Sequence, residues 1–207
     1  MTDHLHGGKK RNHIQEALRV ARNAAEEVRL GPEAGEEYIT IKEGQRNIEK
    51  RRLADHIARK YVNNLDAVAI DAGSTLQLIV ERMMETKKFL SILTNNMTAF
   101  RRDSKRKTPE SSNEFILTGG KYVALFDALL GNETFNSFQL FHPTVVIIGV
   151  SGLIPQKGFF CHGNDEKNVK ELLFQKKDCT IIVPADHSKL GKSDSYLFGK
   201  TALSRNL

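Results

Sequence analysis

The sequence contains few cysteines, no tryptophan and no long apolar run. Cys161 and Cys179 are the two cysteines among 207 residues and form no CxxC motif, so we expect neither a disulfide scaffold nor a thiolate zinc site. No stretch approaches the roughly 18 uninterrupted apolar residues of a membrane span. The N-terminus lacks the apolar core of a secretory signal. We therefore expect a cytoplasmic protein with no membrane segment.

The seven histidines are scattered without the spacing of metal ligands. Neither cysteine has a paired base that would make it a nucleophile. We expect no metal site, no cofactor and no catalytic cysteine. With 40% hydrophobic and 27% charged residues, the composition is that of a globular protein. Its length suits one α/β domain, or one domain with a helical appendage.

The net charge of +6 is unevenly distributed. Residues 101–113 hold five basic and two acidic residues, which is half of the excess. A basic loop can contact nucleic acid or phosphate. The Ser, Pro and Asn content of this segment instead favours a solvated connection between elements.

Helical patterns dominate the N-terminal part. Residues 11–29 place apolar side chains three or four apart, which predicts one helix that ends at Gly31-Pro32. A second helix is predicted at 48–62. We assign 1–44 to an N-terminal helical extension or linker and 45–207 to the main domain.

From Asp66 onward, short apolar runs alternate with amphipathic helices. Strands are predicted at 67–70, 89–93, 115–117, 145–148 and 180–183, and helices at 76–84, 132–138 and 165–174. This alternation indicates βαβ units, so we predict an α/β fold with a mainly parallel sheet flanked by helices. Ligands of such sheets bind at the carboxyl ends of the strands.

The turn after the first predicted strand is Asp71-Ala72-Gly73-Ser74-Thr75, and it leads directly into a helix. Glycine lets the backbone approach a ligand, and the free N–H groups of a first helical turn bind anions. This turn predicts a phosphate site. The alternative is a turn capped by Ser or Thr, the usual N-cap residues.

Polar or glycine-containing turns also follow the other predicted strands. Glu166 and Lys170 lie four apart on one helix face, which fits either a ligand contact or a surface ion pair. Together the turns predict a crevice for a small, phosphorylated, hydroxyl-rich ligand. The candidate ligand-binding residues are Asp71, Gly73, Ser74, Thr75, Thr94, Asn95, Gly119, Gly120, Ser151, Glu166, Lys170, Asp186, Ser188 and Lys189.

The ordered set of these motifs resembles the sensor domain of DeoR-type bacterial transcriptional regulators, over about residues 45 to 203. The pair Glu166-x-x-x-Lys170 and the run Ala185-Asp-His-Ser-Lys189 are its most specific parts. The resemblance implies a ribose-5-phosphate-isomerase-like fold that binds a phosphorylated sugar as effector. It implies that 71–75 hold phosphate and that Glu166, Lys170, Asp186 and Lys189 meet the sugar.

The sequence departs from that family in three places. No complete winged helix-turn-helix is found, although His6-Gly7-Gly8 is similar to the end of its wing, so the chain is either a fragment or a stand-alone sensor. Ser151 stands where the family often has Asp. The chain ends at Leu207, before a final strand that the resemblance implies, so the sheet is expected to lack one edge.

Three functions remain open. The first is an effector-sensing domain of a homo-oligomeric regulator of sugar metabolism that is not an enzyme; its operator DNA would be bound by a helix-turn-helix not found in this chain. The second is an aldose–ketose phosphate isomerase on the same fold, with Glu166 as base and Lys170 or Lys189 as the cation. The third is a structural or partner-binding protein.

Overall fold

A computed structural model describes residues 47–104 and 112–201. The helix predicted at 11–29, the His6-Gly7-Gly8 motif and most of the basic segment 101–113 lie outside the described residues. The boundary proposed near residue 44 is likewise a prediction that the structure does not test.

A five-stranded parallel sheet forms the centre of the domain. Its strands are β1 (Ala67–Ile70), β2 (Ser91–Thr94), β3 (Glu114–Leu117), β6 (Val145–Ile147) and β9 (Thr180–Ile182). The spatial order is β3-β2-β1-β6-β9, and every neighbouring pair is parallel. All five predicted strands are present. The central strands β1, β2 and β6 are largely buried, as continuous apolar runs predict, whereas the edge strands β3 and β9 are partly exposed.

Five α-helices of the described residues flank the sheet: α1 (Asn47–Lys60), α2 (Ser74–Thr86), α3 (Met97–Ser104), α4 (Asn132–Leu140) and α5 (Asn164–Phe174). Successive side chains of β1 point to opposite faces. Val68 and Ile70 enter the core beneath α1 and α2, whereas Ala69 enters the core beneath α4 and α5. The predicted α/β fold with helices on the faces of a mainly parallel sheet is confirmed. No helix of the described residues has the length and apolar character needed to cross a bilayer.

The sequence did not predict several elements. The chain forms a hairpin of β4 (Lys121–Val123) and β5 (Ala128–Leu130), and a three-stranded antiparallel sheet of β7 (Gly152–Ile154), β8 (Gly158–Cys161) and β10 (Tyr196–Gly199). Arg101 and Arg102, which we assigned to a loop, lie instead in the last turn of α3. That part of the prediction was wrong.

The sheet has a topological switch point between β1 and β6. The chain leaves β1 into α2 on one face, and β6 is followed by elements that lead to α5 on the other face. Diverging connections leave a crevice at the carboxyl ends of the two adjacent strands. This crevice is the candidate site.

Candidate functional site

A cavity of about 210 Å³ lies at the switch point. Its wall contains the turns after β1, β2, β6 and β9, together with residues of α1 and of the antiparallel sheet region. Of the predicted residues, those that line it are Asp71, Gly73, Ser74, Thr75, Asn95, Ser151, Glu166, Lys170, Asp186, Ser188 and Lys189. The structure thus brings residues from distant parts of the chain to one hollow.

Thr94, Gly119 and Gly120 are not part of the cavity wall. Thr94 is fully buried, and its hydroxyl accepts the N–H of Asn96. Gly120 has φ +127°, and a Cβ there would stand 2.2 Å from the Thr134 hydroxyl. These positions shape the turns next to the cavity.

The N-terminus of α2 opens into the cavity without a side-chain cap. Gly73 is the N-cap residue, with φ 145° and ψ 155°, and it has no side chain to occupy the first-turn N–H groups. Such a conformation is essentially restricted to glycine. The alternative of a Ser- or Thr-capped turn is wrong, because Ser74 and Thr75 lie inside the first turn. Uncapped N–H groups and the positive end of the helix dipole favour an anion there.

Lys50 is a cavity residue that the sequence analysis missed. It lies in α1 with 5% of its surface exposed, and its Nζ is 3.2 Å from the Ser74 hydroxyl. The next residue back, Glu49, has its Oε2 2.9 Å from Nδ1 of His187, so the first turn of α1 also contacts the turn that contains Asp186 and Ser188. Lys50 is in helical phase with the buried Ala54 and Ile57. A lysine on the apolar face of a predicted helix was the available signal.

Lys170 crosses the floor of the switch point. Its ammonium donates to the Asp71 carboxylate, to the Gly149 carbonyl at 2.9 Å and to Glu166 at 3.3 Å. These contacts engage all three N–H donors of the side chain. Lys170 is 1% exposed. The interpretation of Glu166 and Lys170 as a surface ion pair is therefore wrong.

The charges of this cluster depend on one another: burial raises the pKa of Asp71, and Lys170 opposes that rise. Burial opposes a charge on Lys170, but the carboxylates of Asp71 and Glu166 outweigh it and raise the pKa of the ammonium. Burial also opposes a charge on Glu166, but Lys170 and the N–H groups of Gly163 and His162 hold its pKa below the ordinary value. A carboxylate held in this way is a poor general base, which disfavours the isomerase hypothesis.

A second acidic group lies near the antiparallel sheet, and the sequence analysis missed it. Asp194 Oδ1 is 3.3 Å from Nδ1 of His162, and both residues line the cavity beside Ser151. Burial raises the pKa of Asp194, but hydrogen bonds from Ser151, the Ser195 N–H and His162 outweigh it, so the pKa is lowered. Asp194 is therefore negatively charged at neutral pH.

Asn95 offers an unpaired acceptor. Its Nδ2 donates to the Leu129 carbonyl at 3.0 Å, while its buried Oδ1 has no partner among the described residues. Buried amide oxygens are normally satisfied. Asn95 also lines the cavity. On the opposite wall, Asp186 accepts the N–H and hydroxyl of Ser188 and orders that turn.

Residues 45–204 match the family described as the DeoR C terminal sensor domain. The chain belongs to this family. The DeoR sensor-domain assignment covers all the described helices and strands. It identifies the described domain as a DeoR-type sensor domain.

Curated relatives of this DeoR sensor domain are distant in sequence. The chain is 23% identical over 152 residues to the HTH-type transcriptional repressor GlcR of Bacillus subtilis, covering 73% of this chain and 56% of that protein. It is 26% identical over 153 residues to the HTH-type transcriptional regulator GlpR of Haloferax volcanii, covering 72% and 57%. The chain thus matches a little over half the length of these relatives.

Solved structures similar to the DeoR sensor domain include ribose 5-phosphate isomerase A from Neisseria gonorrhoeae. The sequence identity is 16%, the TM-score is 0.44, and the alignment covers 68% of this chain and 52% of that one.

Proposed function

We propose that the cavity at the switch point binds a phosphorylated sugar and that this binding modulates DNA binding by the regulator to which the sensor belongs. The observation that carries the proposal is the uncapped N-terminus of α2, with the Lys50 ammonium beside it. An anion at this position would accept hydrogen bonds from backbone N–H groups, and the helix dipole and the Lys50 cation would stabilise its charge.

The rest of the cavity supports a hydroxyl-rich ligand. Asn95 provides an unpaired buried acceptor, and Thr75 lines the wall beside the proposed anion position. Asp71 contributes differently from what the resemblance implied. Because its carboxylate is engaged by Lys170, we assign the phosphate contacts to Ser74, Thr75 and Lys50 and give Asp71 the role of anchoring Lys170.

The regulatory part of the proposal is supported by the family assignment and by the names of the relatives, which are transcriptional regulators. An effector changes DNA binding only if it binds one arrangement of the regulator more tightly than another. The first turn of α1 suits this coupling, because Lys50 contacts the proposed phosphate position and α1 directly follows the N-terminal segment. We propose a cytoplasmic homo-oligomer as the acting form.

The experiment is a thermal-shift and calorimetric screen of the full chain against sugar phosphates, with inorganic phosphate included. A ligand at 100 times its dissociation constant stabilises the native state by about 2.7 kcal/mol. We expect at least one sugar phosphate to give such a shift. We expect Lys50→Met to weaken its binding about tenfold or more, because a charge-assisted hydrogen bond contributes roughly 1.5–3 kcal/mol.

Two variants serve as matched controls. Lys60→Met changes an exposed lysine at the other end of α1, and Thr86→Val changes a threonine in the last turn of α2. Both are expected to bind as the wild type does, whereas the double variant Ser74→Val/Thr75→Val is expected to lose the shift. Unchanged binding by that double variant, or no response to any sugar phosphate, would contradict the proposal.

A further inference from the structure

The cavity is electrically asymmetric. One end contains the N-terminus of α2 and Lys50, which contact each other through Ser74. The other end contains Glu166, Asp194 and His162, which are linked by hydrogen bonds of their own. The Asp71–Lys170 pair contacts the acidic group through Glu166, and Asp71 lies two residues before Gly73, the N-cap of α2. A bound molecule that spans the cavity therefore meets positive potential at one end and carboxylates at the other.

At the acidic end of the cavity, each cationic group is already paired with a carboxylate of that end or with Asp71. The charge of Lys170 is shared between Asp71 and Glu166, so one cation faces two carboxylates before Asp194 is counted. Any positive charge on the His162 ring is matched by Asp194 at 3.3 Å. The pKa values of Glu166 and Asp194 are both lowered, so both groups are ionised at neutral pH. This end accepts hydrogen bonds from hydroxyl groups and repels anions.

We propose that Asp194, together with Glu166, restricts the effector to a monophosphate of an uncharged sugar and excludes ligands with a second anionic group at the far end, such as bisphosphates and phosphorylated sugar acids. This inference rests on the proposed function, and it names the class of ligand within it. A ligand with a unit negative charge about 5 Å from one carboxylate, at an effective dielectric constant near 20, loses roughly 300-fold in affinity. The sugar hydroxyls instead donate to the carboxylates.

The test uses pairs of ligands that differ by one anionic group: fructose 6-phosphate with fructose 1,6-bisphosphate, and glucose 6-phosphate with 6-phosphogluconate. Inorganic phosphate is the third probe. For the wild-type chain, we expect any bound monophosphate to bind at least 30-fold more tightly than its doubly anionic partner. Asp194→Asn keeps the size and the Oδ1 acceptor of the side chain, and we expect it to reduce that ratio at least tenfold without changing the affinity for inorganic phosphate.

Glu171→Gln is the matched control, because it removes one negative charge from the outer face of the same helix that carries Glu166, where Glu171 pairs with Lys167. It should leave the ratio unchanged, and the melting temperature of each variant checks its folding. Equal binding of both members of a pair by the wild type, or an unchanged ratio in Asp194→Asn, would overturn this inference and leave the proposed function standing. If neither the sugar phosphates nor inorganic phosphate bind, the proposed function fails and the inference fails with it.

Discussion

Replacing Lys170 by methionine removes the cation that joins the ends of β1 and β6. The substitution keeps a flexible apolar side chain of similar length but leaves Asp71, which is 2% exposed, without its partner. Removing one member of a buried ion pair costs about 3–5 kcal/mol, because the remaining charge stays buried without compensation. Here Glu166 loses the same partner, so we expect the upper part of that range.

Lys167→Met is the matched control on the same helix. Lys167 also pairs with a carboxylate four residues on, Glu171 at 2.6 Å, but the two side chains are 28% and 39% exposed. Pairs of this kind contribute about 0–1 kcal/mol. The two variants make the same chemical change in the same helix, so the difference between their free energies of unfolding measures the effect of burial and of ion pairing.

Urea denaturation of the full chain, followed by circular dichroism, measures both effects. With a slope of about 2 kcal/mol per molar urea, Lys170→Met should lower the midpoint by roughly 1.5–2.5 M, and Lys167→Met by less than about 0.5 M. If Lys170→Met does not fold, the double variant Asp71→Asn/Lys170→Met should recover part of the loss, since it removes both buried charges. Equal midpoints for Lys170→Met and Lys167→Met would refute the reasoning.

Two further predictions concern stability. Gly120→Ala should lower the free energy of unfolding by more than about 2 kcal/mol, since its Cβ would meet backbone and side-chain oxygens at 2.7 and 2.2 Å. Gly191 also has a positive φ, but a Cβ there would have nothing within 4 Å, so Gly191→Ala should lower it by about 1 kcal/mol. Equal losses of the two variants in a urea titration would contradict this. The pKa values of Glu166 and Asp194 are lowered from 4.5 and 3.8. The stability they contribute is therefore complete above the ordinary values and is lost as pH falls through the lower folded-state values. The contribution of these two groups to the free energy of unfolding should accordingly decrease as pH falls below about 4.5, and a flat profile there would show that these groups are not stabilised as described.

The sequence predicted the central sheet because its strands are continuous apolar runs whose burial needs no knowledge of distant partners. The antiparallel sheet could not be predicted in this way. β7, β8 and β10 are as short as the central strands, but each contains a glycine, and β10 pairs with β8 across the intervening helix α5 and strand β9. Such strands depend on tertiary packing more than on local pattern.

The convergence of most candidate residues at one cavity followed from a topological rule, since turns at the carboxyl ends of adjacent parallel strands meet at one edge of the sheet. Three residues of the cavity could not be predicted from that rule. Lys50 comes from the helix that precedes β1, and Asp194 and His162 come from the antiparallel sheet region. The partner of Asp71 is 99 residues away, so a local motif could not show that Lys170 occupies its carboxylate.

The measurement that tests the central claim most directly is a crystal structure of the full chain with a sugar phosphate that stabilises it. The account predicts that the phosphate lies at the N-terminus of α2, within hydrogen-bonding distance of the backbone N–H groups of Ser74 and Thr75 and of the Lys50 ammonium, with the sugar hydroxyls toward Asn95 and Asp194. A ligand bound outside this cavity, or bound with its phosphate against Glu166 and Asp194, would contradict it.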